Sequence, residues 1–138
     1  MAGLKKQERE MPVKILETSK APKAIGPYSQ AVEAGGFIFC SGQVALNPDT
    51  GKIEGESAAD QAGRVIENLR AVLEAAGVGL DRVVRTTIFL TDMNDFSSVN
   101  QVYGSFFKDS PPARATVAVK TLPLDVRVEI DCIAYAGD

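Results

Sequence analysis

From Val126 to Tyr135 the chain alternates. Val126, Val128, Ile130, Cys132 and Ala134 fall on one face, and Arg127, Glu129, Asp131, Ile133 and Tyr135 on the other. Period-two alternation predicts a strand with one buried face. Between Ser57 and Gly77 the period changes. Ala62, Val65, Ile66, Leu69, Val72, Leu73 and Ala76 recur at helical spacing, which predicts an amphipathic helix with one buried stripe. Ser57 is its N-cap, Asp60 takes the place of a capping-box partner, and Gly77 is the stop signal. Asp92 to Asp95 offer caps for a second helix with the stripe Phe96, Val99, Tyr103, Phe106 and Phe107, ended by Pro111-Pro112. Val13–Leu16, Phe37–Ser41, Val83–Leu90 and Arg114–Lys120 read as further strands. Lys20 to Gln30, Asn47 to Gly51 and Leu122 to Asp125 read as loops or turns. The resulting order, roughly β-β-α-β-α-β-β, predicts one α+β domain with a mixed sheet and both helices on one side. The other sheet face mixes charged and apolar groups, which suits burial against another subunit with clefts between.

Residues 1–12 are polar and mixed in sign and read as a flexible extension, with Met11 a candidate alternative start. The domain proper is 13–138. No apolar run approaches the ~20 residues of a membrane span, and no secretion signal precedes the domain, so a cytoplasmic protein without membrane contact is expected. The net charge of -3 and pI near 5.0 count against nucleic acid as a partner. Cys40 and Cys132 each lie in an apolar stretch. They read first as small buried hydrophobes in a reducing compartment, with a disulfide or a reactive thiol as the alternative.

Histidine is absent. That removes Ser-His-Asp and Cys-His nucleophiles and most zinc sites. Catalysis here has to use carboxylates, arginine, lysine, tyrosine, backbone dipoles or water. No glycine-rich phosphate loop occurs, so no nucleotide cofactor and no metal are expected. Arg114 follows the stiff Pro111-Pro112-Ala113 segment, and an arginine fork binds a carboxylate with two parallel hydrogen bonds. Glu129, on the face away from the core, is suited to orienting water and exchanging its proton. Tyr28 sits in a loop where it can close a pocket, and Gly42 in Ser41-Gly42-Gln43 can let a backbone group approach a ligand. Each also has a plainer role: a surface ion pair for Arg114, a solvated or salt-bridged carboxylate beside Arg127 for Glu129, a loop aromatic for Tyr28, a strand-end bulge for Gly42.

Seven segments in register carry the reading further. They are Ala24-Ile25-Gly26-Pro27-Tyr28-Ser29-Gln30; Phe39-Cys40-Ser41-Gly42-Gln43; Glu67-Asn68-Leu69 with Leu73 and Ala75-Ala76-Gly77; Thr91-Asp92-Met93-Asn94-Asp95-Phe96; Pro112-Ala113-Arg114-Ala115-Thr116; Leu122-Pro123; and Val128-Glu129-Ile130-Asp131. Together, over Lys14 to Ala136, the chain resembles the RidA/YjgF family of reactive intermediate deaminases, once called L-PSP endoribonucleases. The resemblance implies a chorismate-mutase-like α+β fold with a six-stranded mixed sheet and two helices on one face. It also implies a homotrimer whose sheets form a central barrel, with a site in each cleft between neighbours. Family members hydrolyse 2-imino acids or their enamine tautomers, released by pyridoxal-phosphate dehydratases, to 2-oxo acids and ammonia without metal or cofactor. By position, Arg114 matches the carboxylate-binding arginine and Glu129 the glutamate linked to the water. Tyr28 matches the pocket tyrosine and Gly42 a residue of the substrate-binding backbone, with Ser41, Asn94 and Thr116 beside the pocket. Ala115-Thr116 departs from the serine-cysteine pair of several members. Two other readings remain: a non-catalytic trimer that binds small 2-oxo or amino acids, and an endoribonuclease.

Overall fold

The computed structural model describes residues 13–138; the segment 1–12 read as an extension lies outside the described residues. The elements are β1 (Lys14–Leu16), β2 (Ala31–Ala34), β3 (Phe37–Gln43), α1 (Ala58–Ala75), β4 (Val83–Leu90), α2 (Phe96–Phe106), β5 (Ala113–Ala118) and β6 (Val128–Tyr135). The strands form one six-stranded sheet in the order β1-β2-β3-β6-β4-β5. Every neighbouring pair is antiparallel except β4 and β5, which run parallel. A parallel pair needs a long crossover, and α2 supplies it.

The alternation in β6 behaves as the sequence predicts: Val128, Ile130, Cys132 and Ala134 are buried, while Glu129, Asp131, Ile133 and Tyr135 are half-buried. The buried face meets the stripe of α1 formed by Ala62, Val65, Ile66, Leu69, Val72 and Leu73. The Ser57 hydroxyl accepts the Asp60 amide at 3.1 Å and caps the first turn. At the other end Gly77, at φ 83°, lets its own N–H bond Glu74 O and that of Val78 bond Leu73 O. That pair of bonds is a Schellman stop. Two buried amides tie α1 to the sheet ends. Asn68 Nδ2 donates to the carbonyls of Val44 (3.0 Å) and Leu46 (2.9 Å), and Gln61 Oε1 accepts the Arg127 amide at 2.9 Å.

The structure departs from the sequence pattern at two points. The pattern alone yields five strands and passes over β2. This strand is only four residues long and is built of two alanines around Val32 and Glu33, so its alternation is weak. The signal lay in Gly35-Gly36, both with positive φ (57° and 85°). A two-residue loop of this kind joins two paired strands, and Ala34 does pair with Phe37. The second departure is Phe96, read as part of the buried stripe of α2. Val99 and Tyr103 are buried, but Phe96 is exposed at the start of α2. Its ring lies beneath a guanidinium instead.

Candidate functional site

The singled-out residues gather into two groups on opposite faces of the sheet. The first lies where β3 meets β6. In that ladder Cys40 pairs with Cys132 and Gln43 with Ile130, so β3 carries one extra residue, a bulge at Ser41-Gly42. The bulge turns Gly42 toward Glu129: a Cβ built there would stand 2.9 Å from Glu129 Cδ and 3.1 Å from its Cγ. Only glycine allows this approach. Ser41 is tied to the preceding loop, its Oγ donating to Ser29 O at 2.6 Å and its N–H to Gln30 O at 2.9 Å. The Gln30 side chain, itself buried, staples the same loop by accepting the Thr18 amide (2.7 Å) and donating to Pro22 O (2.7 Å). Tyr28 stands beside Ser29 and is half-exposed, with its hydroxyl 3.4 Å from the Ile25 amide. It lines a groove of about 700 Å³ between β1, the loop from Glu17 to Ser29, and Pro48.

Glu129 is half-buried, and burial pushes its carboxyl above the ordinary range, with Asp131 on the same strand face adding to the push. No ion pair or side-chain hydrogen bond among the described residues engages it, and the ion pair with Arg127 does not form. A carboxylate so placed takes up a proton readily and has lone pairs to spare for water.

The second group lies on the helix-covered face at the sheet edge. Arg114 pairs with Thr86, whose buried hydroxyl bonds the Tyr103 hydroxyl at 2.7 Å. The guanidinium carbon of Arg114 lies 4.9 Å from the Tyr103 ring centre and 5.6 Å from that of Phe96, and Nη1 donates to Asn100 Oδ1 at 2.7 Å. Phe96, Asn100 and Tyr103 recur at helical spacing on α2, so one helix face cradles one guanidinium. Burial raises the Tyr103 phenol above its ordinary range, opposed by the hydrogen bond to Thr86 and the charge of Arg114. With Nη1 engaged, the Nε–Nη2 edge is left for a planar anion. Thr116 shares this face, and its buried hydroxyl oxygen has no partner among the described residues. Asn94 sits in the short turn Met93–Asp95, exposed, with its amide bonded to Asp92 Oδ1 at 2.9 Å. The asparagine that meets Arg114 is Asn100. Sequence reasoning passed over Asn100, Phe96 and Tyr103 as site residues, although their shared helical face ahead of Pro111-Pro112 was a readable signal.

Register fixes the relation of the two groups. Glu129 lies opposite Phe89, and Phe89 opposite Val117. Arg114 is therefore two strands away from Glu129 and three residues earlier in β5 than the level of Glu129, roughly 14 Å between Cα atoms. The two side chains also leave the sheet on opposite faces, because Arg114 shares the parity of Thr86 and Glu129 that of Phe89. One chain does not bring them together. Among the described residues no cluster of three His, Cys, Asp or Glu could hold a metal ion, and no helix is long and apolar enough to cross a membrane.

Comparison with known proteins identifies the family. A family model described as Endoribonuclease L-PSP matches residues 18–136. A RutC family protein of Pyrococcus horikoshii is 50% identical over 88% of this chain and 96% of its own. The 2-iminobutanoate/2-iminopropanoate deaminase of mouse is 47% identical over 90% of this chain and 92% of its own. Among solved structures, Escherichia coli TdcF with bound serine superposes with a TM-score of 0.86 at 43% identity, covering 90% of this chain and 99% of that one. With most of its length matched at such identity, the chain belongs to the RidA/YjgF family, the family of the Endoribonuclease L-PSP model.

Proposed function

We propose that the protein is a deaminase that hydrolyses 2-imino acids, of the 2-iminobutanoate and 2-iminopropanoate class, to 2-oxo acids and ammonia. The observation that carries this reading is the pair of half-sites on opposite faces of the sheet: an arginine with one edge free and a glutamate with a raised pKa, neither met by a further partner among the described residues. A site that uses both must be built from two chains. In the homotrimer that the family resemblance implies, Arg114 of one subunit faces Glu129 of the next across each cleft. Exposed Ile15, Phe37, Phe39 and Val117 support burial of the remaining sheet surface in that assembly.

In the cleft, the Nε–Nη2 edge of Arg114 holds the substrate carboxylate in two hydrogen bonds. The backbone at Gly42 meets the substrate beside Glu129, and Tyr28 closes the groove. Glu129 takes a proton from water as the oxygen–carbon bond forms on the protonated imine, giving a carbinolamine. It then returns that proton to nitrogen. The carbon–nitrogen bond breaks as Glu129 takes the hydroxyl proton and the hydroxyl becomes the carbonyl, and the departing ammonia picks that proton up from Glu129 and leaves as ammonium. No covalent nucleophile is required, because imines already hydrolyse in water and the site need only orient substrate, water and proton.

The test is to add the purified protein to a threonine dehydratase with threonine and follow early 2-oxobutanoate release, with Arg114→Ala alongside. Faster release by the wild type alone supports both the activity and the grip of Arg114. No acceleration by a folded protein refutes the deaminase assignment for this substrate class. A second reading, a small-ligand-binding regulator, is favoured by the serine bound in TdcF. Binding of 2-oxobutanoate without turnover would establish it in place of the first.

A further inference from the structure

Cys40 and Cys132 take no part in the chemistry above, yet they stand opposite one another. They are register partners in the antiparallel β3–β6 ladder, both on the helix-covered face, both buried and both free. Directly opposed residues in such a ladder have Cα atoms about 4.5 or 5.5 Å apart, and both spacings fall inside the ~4.4–6.8 Å that a disulfide spans. Opposed Cβ atoms stand about 4.5–5.5 Å apart in such a ladder and a disulfide needs about 3.5–4.5 Å, so closing the bond asks only a small local shift of the two strands. We propose that Cys40 and Cys132 form a thiol-oxidation site, at which a hydroperoxide converts the pair to a disulfide that clamps β3 to β6.

The two cysteines have unequal parts. Cys132 is the more deeply buried, at 3% exposure against 7%, so a small hydroperoxide meets Cys40 first. Contact with the Cys40 thiol and burial hold the Cys132 thiol far above its ordinary range, so it does not act as the first nucleophile.

Cys40 sulfur, having given up its proton, attacks one peroxide oxygen and the O–O bond breaks. This leaves a sulfenic acid on Cys40, and the departing hydroxide takes up that proton as water. Cys132 sulfur then attacks the sulfenic sulfur. The S–O bond breaks, and the hydroxyl leaves with the Cys132 proton as a second water. Overall two thiols lose two electrons and two protons, and one peroxide becomes two waters. The closed loop from 40 to 132 is long, so the bond restricts the unfolded chain strongly, and the thermal midpoint of the oxidised protein rises by roughly 5–15 °C.

The test uses the folded full-length protein treated with hydrogen peroxide, then alkylated, unfolded and digested without reductant. The expected result is loss of both titratable thiols, a peptide linking Cys40 to Cys132, and full reversal by dithiothreitol. In Cys132→Ser, dimedone should trap a sulfenic acid on Cys40. Three results would each overturn the proposal: both thiols still alkylated after methionines have oxidised, a disulfide between two chains instead of within one, or sulfinic acid on Cys40 with no linked peptide. The wild-type peptide decides the matter even if the serine variant fails to fold.

Discussion

Gly42→Ala tests the bulge and the glutamate together. Gly42 is not among the residues with positive φ, so alanine fits its backbone. The added methyl would meet the Glu129 carboxylate, 2.9 Å from Cδ and 3.1 Å from Cγ. Ordinary contacts begin near 3.5 Å, and Glu129 Oε2 stands closer to the methyl than Cδ does, so the carboxylate must retreat by roughly 1 Å. A displacement of that size in an acid/base group costs ~10²-fold in rate, equivalent to ~2.7 kcal/mol of barrier. The obstacle is the end of a flexible side chain, so the fold should yield little. Replacing glycine by alanine at a compatible φ also stabilises by about 0.4–1 kcal/mol through the unfolded chain. The variant should therefore melt within a few degrees of the wild type while its kcat for 2-iminobutanoate falls about a hundredfold, with KM little changed. The decisive comparison is the double variant with Glu129→Ala. With no carboxylate to meet, the alanine should add no further loss, so the coupling energy should nearly equal the whole effect of Gly42→Ala. If Gly42→Ala keeps near-full kcat, or lowers the rate equally with and without Glu129, the proposed contact has no catalytic meaning.

Further expectations follow from the same geometry. The Glu129 carboxyl lies above the ordinary range, chiefly through burial, so the acid limb of the kcat profile should fall above the free-glutamate value of 4.5, and Asp131→Asn should move it to lower pH. The raised pKa also fixes the sign for stability: relative to Glu129→Gln, the wild type should hold its stability below pH 4.5 and lose it as pH rises through the folded-state pKa, as a pH series of denaturant melts would show. Asn100→Asp places a fixed carboxylate against Arg114 in competition with the substrate. It should raise KM at least several-fold with a smaller change in kcat, whereas Asn100→Ala should raise it less. Asn68→Ala orphans the half-buried carbonyls of Val44 and Leu46, which should cost roughly 1–3 kcal/mol and be visible as a fall in thermal midpoint of about 5–10 °C.

Much of this was legible in the chain because it rests on periodicity. The stripe of α1, its serine cap and glycine stop, and the two-faced β6 are local consequences of residue order. The short β2 was not, since Ala31 to Ala34 has no strong alternation of its own and is held by its neighbours. The candidate site divides in the same way. Arg114, Glu129, Tyr28 and Gly42 stood out by residue type and by family resemblance. Asn100, Phe96 and Tyr103 did not, because a helical stripe looks the same from sequence whether it faces a core or a guanidinium. Phe96 took the core reading for that reason, although it begins the helix where the sheet edge no longer covers it. The separation of Arg114 from Glu129 was hidden as well, since which sheet face each occupies depends on strand order and register that no local pattern contains.

The central claim is that one site draws on two chains, and subunit mixing tests it directly. Arg114→Ala and Glu129→Ala homo-oligomers should each be nearly inactive. Unfolded together in equal amounts and refolded, they should regain activity, because roughly a quarter of the clefts in randomly assembled trimers then pair an intact Arg114 with an intact Glu129. Recovery near that fraction of wild-type turnover is the predicted result. A mixture that refolds and exchanges subunits yet stays as inactive as its parents would contradict the account.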